Sequence, residues 1–194
     1  MEEIIQNINA IYPLSDEVEL LLRKSVRRDV VRKKQKLLRM GQICTRLYFI
    51  EQGLLRHYVK RGEKEHSCLF MLEGDIATSV TSFFGRTPSP ETIEALEDCV
   101  LWSVSWQELQ DIYERDPGFR KIGQHYTEKY YCQDDRLKMN LIAMPPGEFY
   151  DYLRENFPKV VQRVPDKYLA SSMGITVQTL MAIKRRMKLG GKKE

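Results

Sequence analysis

The hydrophobic period of this chain changes near Trp106, and that change limits what it can fold into. From about residue 30 to Trp106, apolar residues come in short runs, each halted by turn residues: VVRKKQKLLRMGQ, RLYFIEQG, LLRHYVKRGEK and HSCLFMLEGD. After Trp106 they recur at steps of three and four. The first texture predicts strands and the second predicts helices. A chain that keeps them in separate blocks belongs to the α+β class rather than to an alternating parallel-sheet fold.

Within the strand block, Leu47-Tyr48-Phe49-Ile50 is β-prone and stops at Gly53, and Val100-Leu101-Trp102-Ser103-Val104 reads as another strand. Leu55, His57 and Val59 alternate with Arg56, Tyr58 and Lys60, and Arg61-Gly62 suits a hairpin turn. Evenly spaced strands ending in Gly-containing turns predict a small antiparallel barrel, a double-stranded β-helix or jelly roll. Ahead of it, Ile4, Ile5, Ile8 and Ile11 share a helical face that Pro13 ends. A second helix starts at Ser15-Asp16 with Ser15 as N-cap and carries Val18, Leu21 and Leu22 inward.

Beyond Asp116-Pro117-Gly118, the residues Phe119, Ile122, Tyr126, Tyr130, Gln133, Leu137, Leu141 and Met144 recur at helical steps until Pro145-Pro146-Gly147. A helix this long predicts a seam between two copies of the chain, formed by Ile122, Tyr126, Tyr130, Gln133, Leu137 and Leu141. The alternative is a helix packed along its own domain. The resulting division is 1–115 for the β-roll, 116–144 for the long helix and 145–194 for a C-terminal helical bundle.

The sharpest local signal lies in that last segment. Pro165 suits the start of a short helix. Leu169 and Ala170 sit where it would meet a second helix, and Gly174 permits the left-handed turn between them. Thr176 can cap the second helix, roughly 176–187, whose Leu180 and Ile183 point back to the first. This is the grammar of a helix-turn-helix. In it, the exposed start of the second helix faces base edges. Thr176, Val177, Gln178, Thr179 and Met181 would lie against DNA, with Gln178 matching adenine and Val177 a thymine methyl. Lys184 and Arg185, with Arg186, suit phosphate contact. A plain helical hairpin is the alternative. The tail from Leu189 onward is expected to fray.

Charge agrees with a polyanion partner at that end. Residues 159–194 hold nine Lys/Arg against Asp166 and Glu194, a net of +7, which leaves −3 on the remainder of a chain whose total is +4. A second basic stretch, Arg23–Arg39, holds nine cations against one Asp. It reads either as a solvated helix end and strand edge or as a further DNA-contacting surface. Cys44, Cys68, Cys99 and Cys132 form no CxxC pair and lack a nearby His, so they are expected to be reduced and mostly packed rather than metal ligands. No apolar run reaches the length of a membrane span. The start, MEEIIQNINAIY, puts acids where a secretory signal has bases, and the expectation is a cytoplasmic protein without a membrane partner.

The chain resembles the Crp/Fnr family of bacterial transcription regulators over nearly its whole length. In the first half the resemblance rests on Gly41, Leu47-Tyr48-Phe49-Ile50, Gly53, Gly62, Gly74-Asp75 and Ile93-Glu94-Ala95-Leu96-Glu97-Asp98. In the second it rests on Arg163-Val164-Pro165, Leu169-Ala170, Gly174-Ile175-Thr176 and Thr179-Leu180. It implies a cyclic-nucleotide-binding-like jelly roll and a homodimer joined by the long helix. It also implies inverted-repeat operators in double-stranded DNA, and RNA polymerase as a further partner.

Two departures qualify the resemblance. Cyclic-nucleotide binders of the family hold the ribose with a Gly-Glu pair and the phosphate with an Arg-Ser/Thr-Ala segment, and here those slots read Thr78-Ser79 and Ser89-Pro90-Glu91. Without the guanidinium, a buried phosphate loses its charge-assisted partner, which argues against cyclic AMP. A pocket formed by Gly74, Thr78, Ser79, Arg86 and Ser89 would take another, unidentified small-molecule effector, or it is filled by side chains such as Phe83 and Phe84. The second departure is a recognition helix poor in arginine, with Gln178 and Met181-Ala182 at slots where relatives carry charge. A sensor with a degenerate helix-turn-helix, binding a ligand or a partner protein, is the competing reading. His57, His66 and His125 give no haem signal, no Cys precedes Cys44 to hold an iron-sulfur cluster, and the effector or cofactor is left unknown. An enzyme on a metal-binding barrel would need clustered His and Glu ligands that this spacing does not supply.

Overall fold

A computed structural model describes residues 1–190 of the chain. Its elements follow the two sequence textures. Helices α1 (Glu2–Ile11) and α2 (Asp16–Ser25) precede the strands β1 (Arg27–Val31), β2 (Lys36–Leu38), β3 (Arg46–Gln52), β4 (Leu55–Arg61), β5 (Lys64–Met71) and β6 (Ile76–Ala77). A short helix α3 (Val80–Gly85) separates these from β7 (Thr92–Ala95) and β8 (Cys99–Ser105). Then come α4 (Trp106–Arg115), a 3₁₀ turn at Pro117–Phe119, and helices α5 (Arg120–Ala143), α6 (Pro146–Asn156), α7 (Pro158–Arg163), α8 (Asp166–Ser172) and α9 (Val177–Gly190). The strands form two four-stranded sheets, β1-β8-β3-β6 and β2-β7-β4-β5. The fold is therefore α+β, an antiparallel jelly roll followed by a long helix and a C-terminal helical group.

Local chemistry sets the boundaries. Ser15 Oγ accepts the Val18 N–H at the start of α2, as its sequence position implies. At Ser105 the period changes abruptly because a capping box forms: Glu108 N–H donates to Ser105 Oγ and Ser105 N–H to Glu108 Oε2, at 3.2 and 2.7 Å. Gly53, at φ +110, joins β3 to β4 where a Cβ would come within 2.5 Å of Cys99 Sγ, so no other residue fits without displacing β8.

The chain divides into two units. Unit 1 comprises Met1–Arg56 and Met71–Gln133; unit 2 comprises His57–Phe70 and Asp134–Glu194. The core of unit 1 includes Ile50, Leu54, Leu55, Phe83, Ile93, Leu101 and Ile112, all fully buried. That of unit 2 gathers Phe149, Tyr150, Leu153, Leu169, Ala170, Met173 and Leu180.

Two sequence expectations are corrected here. The alternation read into β4 fails, since Leu55, Arg56, His57 and Tyr58 are all buried and both faces of the strand are covered. Of the four thiols, only Cys44 and Cys99 are packed, while Cys68 and Cys132 are exposed. Helix α9 runs through Gly190, and the rest of the tail expected to fray, residues 191–194, lies outside the described residues.

Part of the seam expected on α5 is used within the chain. Ile122 is buried in its own unit, Tyr126 stacks on Tyr130 with ring centroids 6.3 Å apart, and Tyr130 Oη accepts the Ile76 N–H at 2.8 Å. Tyr130 of that stripe is thus engaged by the β-roll of the same chain. Leu137 and Gln133 are half-buried, and Leu141 is exposed. The large apolar residues that α5 leaves bare are mainly Tyr131, Met139 and Ile142, at 73%, 62% and 82% exposure. At 3.6 residues per turn these lie about half a turn round the helix from Tyr126 and Gln133.

Candidate functional site

The C-terminal helices build the geometry that the sequence outlined. Gly174 takes φ +67 in the turn between α8 and α9, and Ile175 N–H closes it by donating to Ala170 O at 3.0 Å. Thr176 Oγ1 accepts the Thr179 N–H at 3.1 Å and so caps α9. Leu169, Ala170 and Leu180 are fully buried where the two helices meet. With that face used for packing, the first turns of α9 present Thr176, Val177, Gln178, Thr179 and Met181, all exposed, as one polar and apolar strip. Arg185 and Arg186 are also exposed.

Lys184 departs from its expected place. Its Nζ is bound to the Asp166 carboxylate and stands 5.9 Å from the centre of the Tyr150 ring. This ties α9 to the first turn of α8. The sequence missed it because Asp166, eighteen residues earlier, gives no local sign of where its carboxylate points.

A second feature of unit 2 was also not read from the sequence. Ser171, on α8, donates its hydroxyl to Glu65 O and accepts the Ser67 N–H, both at 3.1 Å. Residues two apart on a strand direct their main-chain groups to the same side. One hydroxyl thus satisfies two main-chain groups of the edge strand β5.

In unit 1 only Ser79 and Ser89 of the expected pocket are brought together; Thr78 and Arg86 pair with main chain, and Gly74 lies in its own turn. Gly74 makes the turn before β6 at φ +88. Thr78 Oγ1 donates to Arg46 O at 3.2 Å. The Ser89 hydroxyl lies 2.9 Å from Ser79 Oγ and 2.8 Å from Glu91 O, and both serines are buried. Ser82, on α3, bridges Cys44 N and Thr87 O at 2.8 and 2.5 Å. Phe83 is fully buried, whereas Phe84 is 51% exposed. Arg86 stays on the outside, donating to Cys44 O at 3.1 Å with its guanidinium 5.1 Å from the Trp106 ring centre. The charge inside the roll comes instead from Arg56, only 1% exposed, whose Nη2 donates to Glu94 Oε2 at 2.7 Å.

Next to the roll's Gly74 turn, Asp75 Oδ2 accepts the Leu72 N–H at 2.9 Å. Burial holds the Asp75 carboxyl above the ordinary carboxylate value, partly offset by the Leu72 bond and by the nearby Lys129 and Tyr130. Among the described residues, no group of three or more His, Cys, Asp or Glu is arranged to hold a metal ion. No helix among them is long and apolar enough to cross a membrane.

Comparison with known proteins agrees with this architecture. Residues 28–116 match the family model of the cyclic nucleotide-binding domain. No curated protein matches the chain in sequence. Among solved structures, the c-di-GMP-responsive global regulator CLP of Xanthomonas campestris superposes with a TM-score of 0.72 at 13% identity, covering 91% of this chain and 93% of that one. A protein from Eubacterium rectale assigned to the crp/fnr family of transcriptional regulators gives 0.71 at 17% identity, over 92% and 85% of the two chains. FixK2 of Bradyrhizobium japonicum gives 0.70 at 15%, over 86% of each. The resemblance to Crp/Fnr regulators is borne out at the level of the fold, which this chain shares from the β-roll through the C-terminal helices.

Proposed function

We propose that the chain is a DNA-binding transcription regulator of the Crp/Fnr type, acting as a homodimer on inverted-repeat operators. The observation that carries this reading is the α8–α9 pair: a left-handed Gly174 turn, a Thr176 cap, a buried crossing at Ala170 and Leu180, and an exposed strip of Val177, Gln178 and Met181. That strip has the side chains needed to read adenine and thymine edges, and Arg185 and Arg186 supply phosphate contacts. The dimer forms through the bare face of α5, around Tyr131, Met139 and Ile142, since on the other face Tyr130 is already bound to Ile76.

The roll is not a cyclic AMP receptor in this reading. Its Ser79 and Ser89 hydroxyls are paired to each other, and Arg86 is held at Cys44 and Trp106 outside the roll. Calorimetry with cyclic AMP at micromolar concentration is expected to give no binding heat.

Selection of operators from random duplex DNA tests the central claim. An enriched palindromic motif is expected, with Gln178→Ala costing about 1–3 kcal/mol on that motif and little on random sequence. No enriched motif, with only salt-labile binding, refutes it and favours the degenerate helix-turn-helix.

A further inference from the structure

The short helix α3 is packed on one side only. Ser82 and Phe83 are buried, whereas Val80 and Phe84, one turn apart, are 61% and 51% exposed. Phe84 meets Phe83 edge-on with ring centroids 5.1 Å apart, so the exposed ring is supported from beneath.

The segment joining β2 to β3 lies against this helix. Cys44 N–H donates to Ser82 Oγ at 2.8 Å, Ile43 makes an isolated bridge with Pro88, and Gly41 N–H donates to Ser89 O at 2.8 Å. The same segment contributes Met40 and Ile43, which are 49% and 46% exposed. Four of the seven large apolar residues that unit 1 leaves exposed thus come from two segments bonded to each other. An exposed apolar side chain is ordinary when single, but a group of them marks an interaction surface.

Charge narrows the partner. No Asp or Glu occurs from Val30 to Ile50 or from Ile76 to Pro90, the stretches that hold both segments. Arg39 and Arg86 are exposed there. The Arg86 side chain is itself held, with Nη1 donating to Cys44 O at 3.1 Å and the guanidinium 5.1 Å from the Trp106 ring centre. A cation already fixed beside apolar side chains receives a carboxylate at a reduced ordering cost, and no neighbouring acid in these stretches repels it. An anionic bilayer carries the same charge, but it is met by long cations free to reach its headgroups. Arg86 is tied back to its own fold instead. Val80 and Phe84 form a ridge one turn long, which matches the i and i+4 anchors of a single helix.

We infer that the outer face of α3, with Met40 and Ile43 beside it, is a docking surface for an acidic amphipathic helix of a partner protein. The apolar face of that helix covers Val80 and Phe84, and an acid at its margin meets Arg86. This goes beyond DNA binding and holds whether or not α8–α9 reads an operator.

The test selects phage-displayed random peptides of about 14 residues, four turns of helix, on the immobilised full chain. The enriched sequences are expected to be net acidic with apolar residues spaced by three and four. A synthetic copy of the leading peptide should bind the double variant Val80→Ser with Phe84→Ser about tenfold more weakly than the wild type. Leu20→Ser, which alters an exposed apolar residue of α2, should leave binding unchanged. Arg86→Asn removes the charge while tolerating the left-handed backbone at φ +53. It should weaken binding by about threefold at low salt and little at high salt. All these positions are exposed, so melting temperatures should stay near that of the wild type. Failure to enrich any peptide overturns the inference, and so does enrichment of basic or uncharged ones. Binding that survives the serine pair, or that ignores Arg86→Asn at low salt, overturns it too. Adsorption to vesicles of phosphatidylcholine and phosphatidylglycerol, abolished by the serine pair and with no acidic peptide selected, would assign the face to a membrane and overturn it as well.

Discussion

Arg56 on β4 and Glu94 on β7 meet inside the β-roll at 2.7 Å, both side chains withdrawn from solvent. A pair of this kind contributes little net stability compared with apolar residues of the same volume, but removing one partner leaves the other charge in a low-dielectric interior. Glu94→Ala is therefore expected to cost about 3–5 kcal/mol in urea or thermal unfolding. The double variant Arg56→Met with Glu94→Leu should recover most of that loss. A cost below about 1 kcal/mol for Glu94→Ala would show that the pair is solvated after all.

The face that α5 leaves bare makes a prediction about assembly. Ile142→Lys and Tyr131→Lys should shift the chain to monomer in sedimentation equilibrium at micromolar concentration. Tyr126→Ala should leave the dimer in place and lower stability instead, because Tyr126 belongs to the chain's own packing. Dimerisation unaffected by both lysine substitutions would exclude this face.

Lys184→Ala distinguishes a structural lysine from a phosphate contact. Loss of the Asp166 ion pair and of the Tyr150 approach should lower the unfolding free energy by about 1 kcal/mol. The salt slope of DNA binding should stay as in the wild type. Arg185→Ala should do the reverse, keeping stability and flattening the slope by about 0.9 per protomer. A slope change for Lys184→Ala of the same size would return it to the phosphate-contacting set.

Asp75 yields a pH dependence whose sign follows from burial. Its pKa is raised on folding from an ordinary value of 3.8, so the folded state favours the protonated form. The resulting penalty is absent below the unfolded pKa, grows as pH rises through the folded one, and persists to neutrality. Asp75→Asn, which keeps an acceptor for the Leu72 N–H, should be more stable than the wild type at pH 7. The gap should close as the pH falls below about 4. A gap that is constant with pH would mean that Asp75 is solvated in the folded chain.

How far the sequence could be read depends on whether each cause is local. Ser15, Gly174 and Thr176 act within four residues of themselves, and each is legible from its neighbours. The period of α5 is equally plain, but a period does not say which surface a helix is packed against. Ile122, Tyr126 and Tyr130 look like a seam until Ile76 is found bound to Tyr130. Strand β6 has two residues and α3 has six, too short for any pattern to accumulate. Arg56 was the hardest to foresee. An arginine in an alternating strand reads as solvent-facing, and the carboxylate that receives it lies 38 residues later.

The Ser171 bridge bears on how this molecule can be taken apart. The β4–β5 hairpin tip is fastened to α8 by that hydroxyl and is grouped with the C-terminal helices, although it lies in the middle of the chain. A fragment beginning at residue 134 would therefore not isolate a complete reader, because it would lose part of the unit's own packing. The amino-terminal fragment would carry the complementary defect. Its β5 would end the sheet with open main-chain groups at Glu65 and Ser67, an invitation to strand-on-strand association. Dissection of this protein is better made by substitution than by scissors.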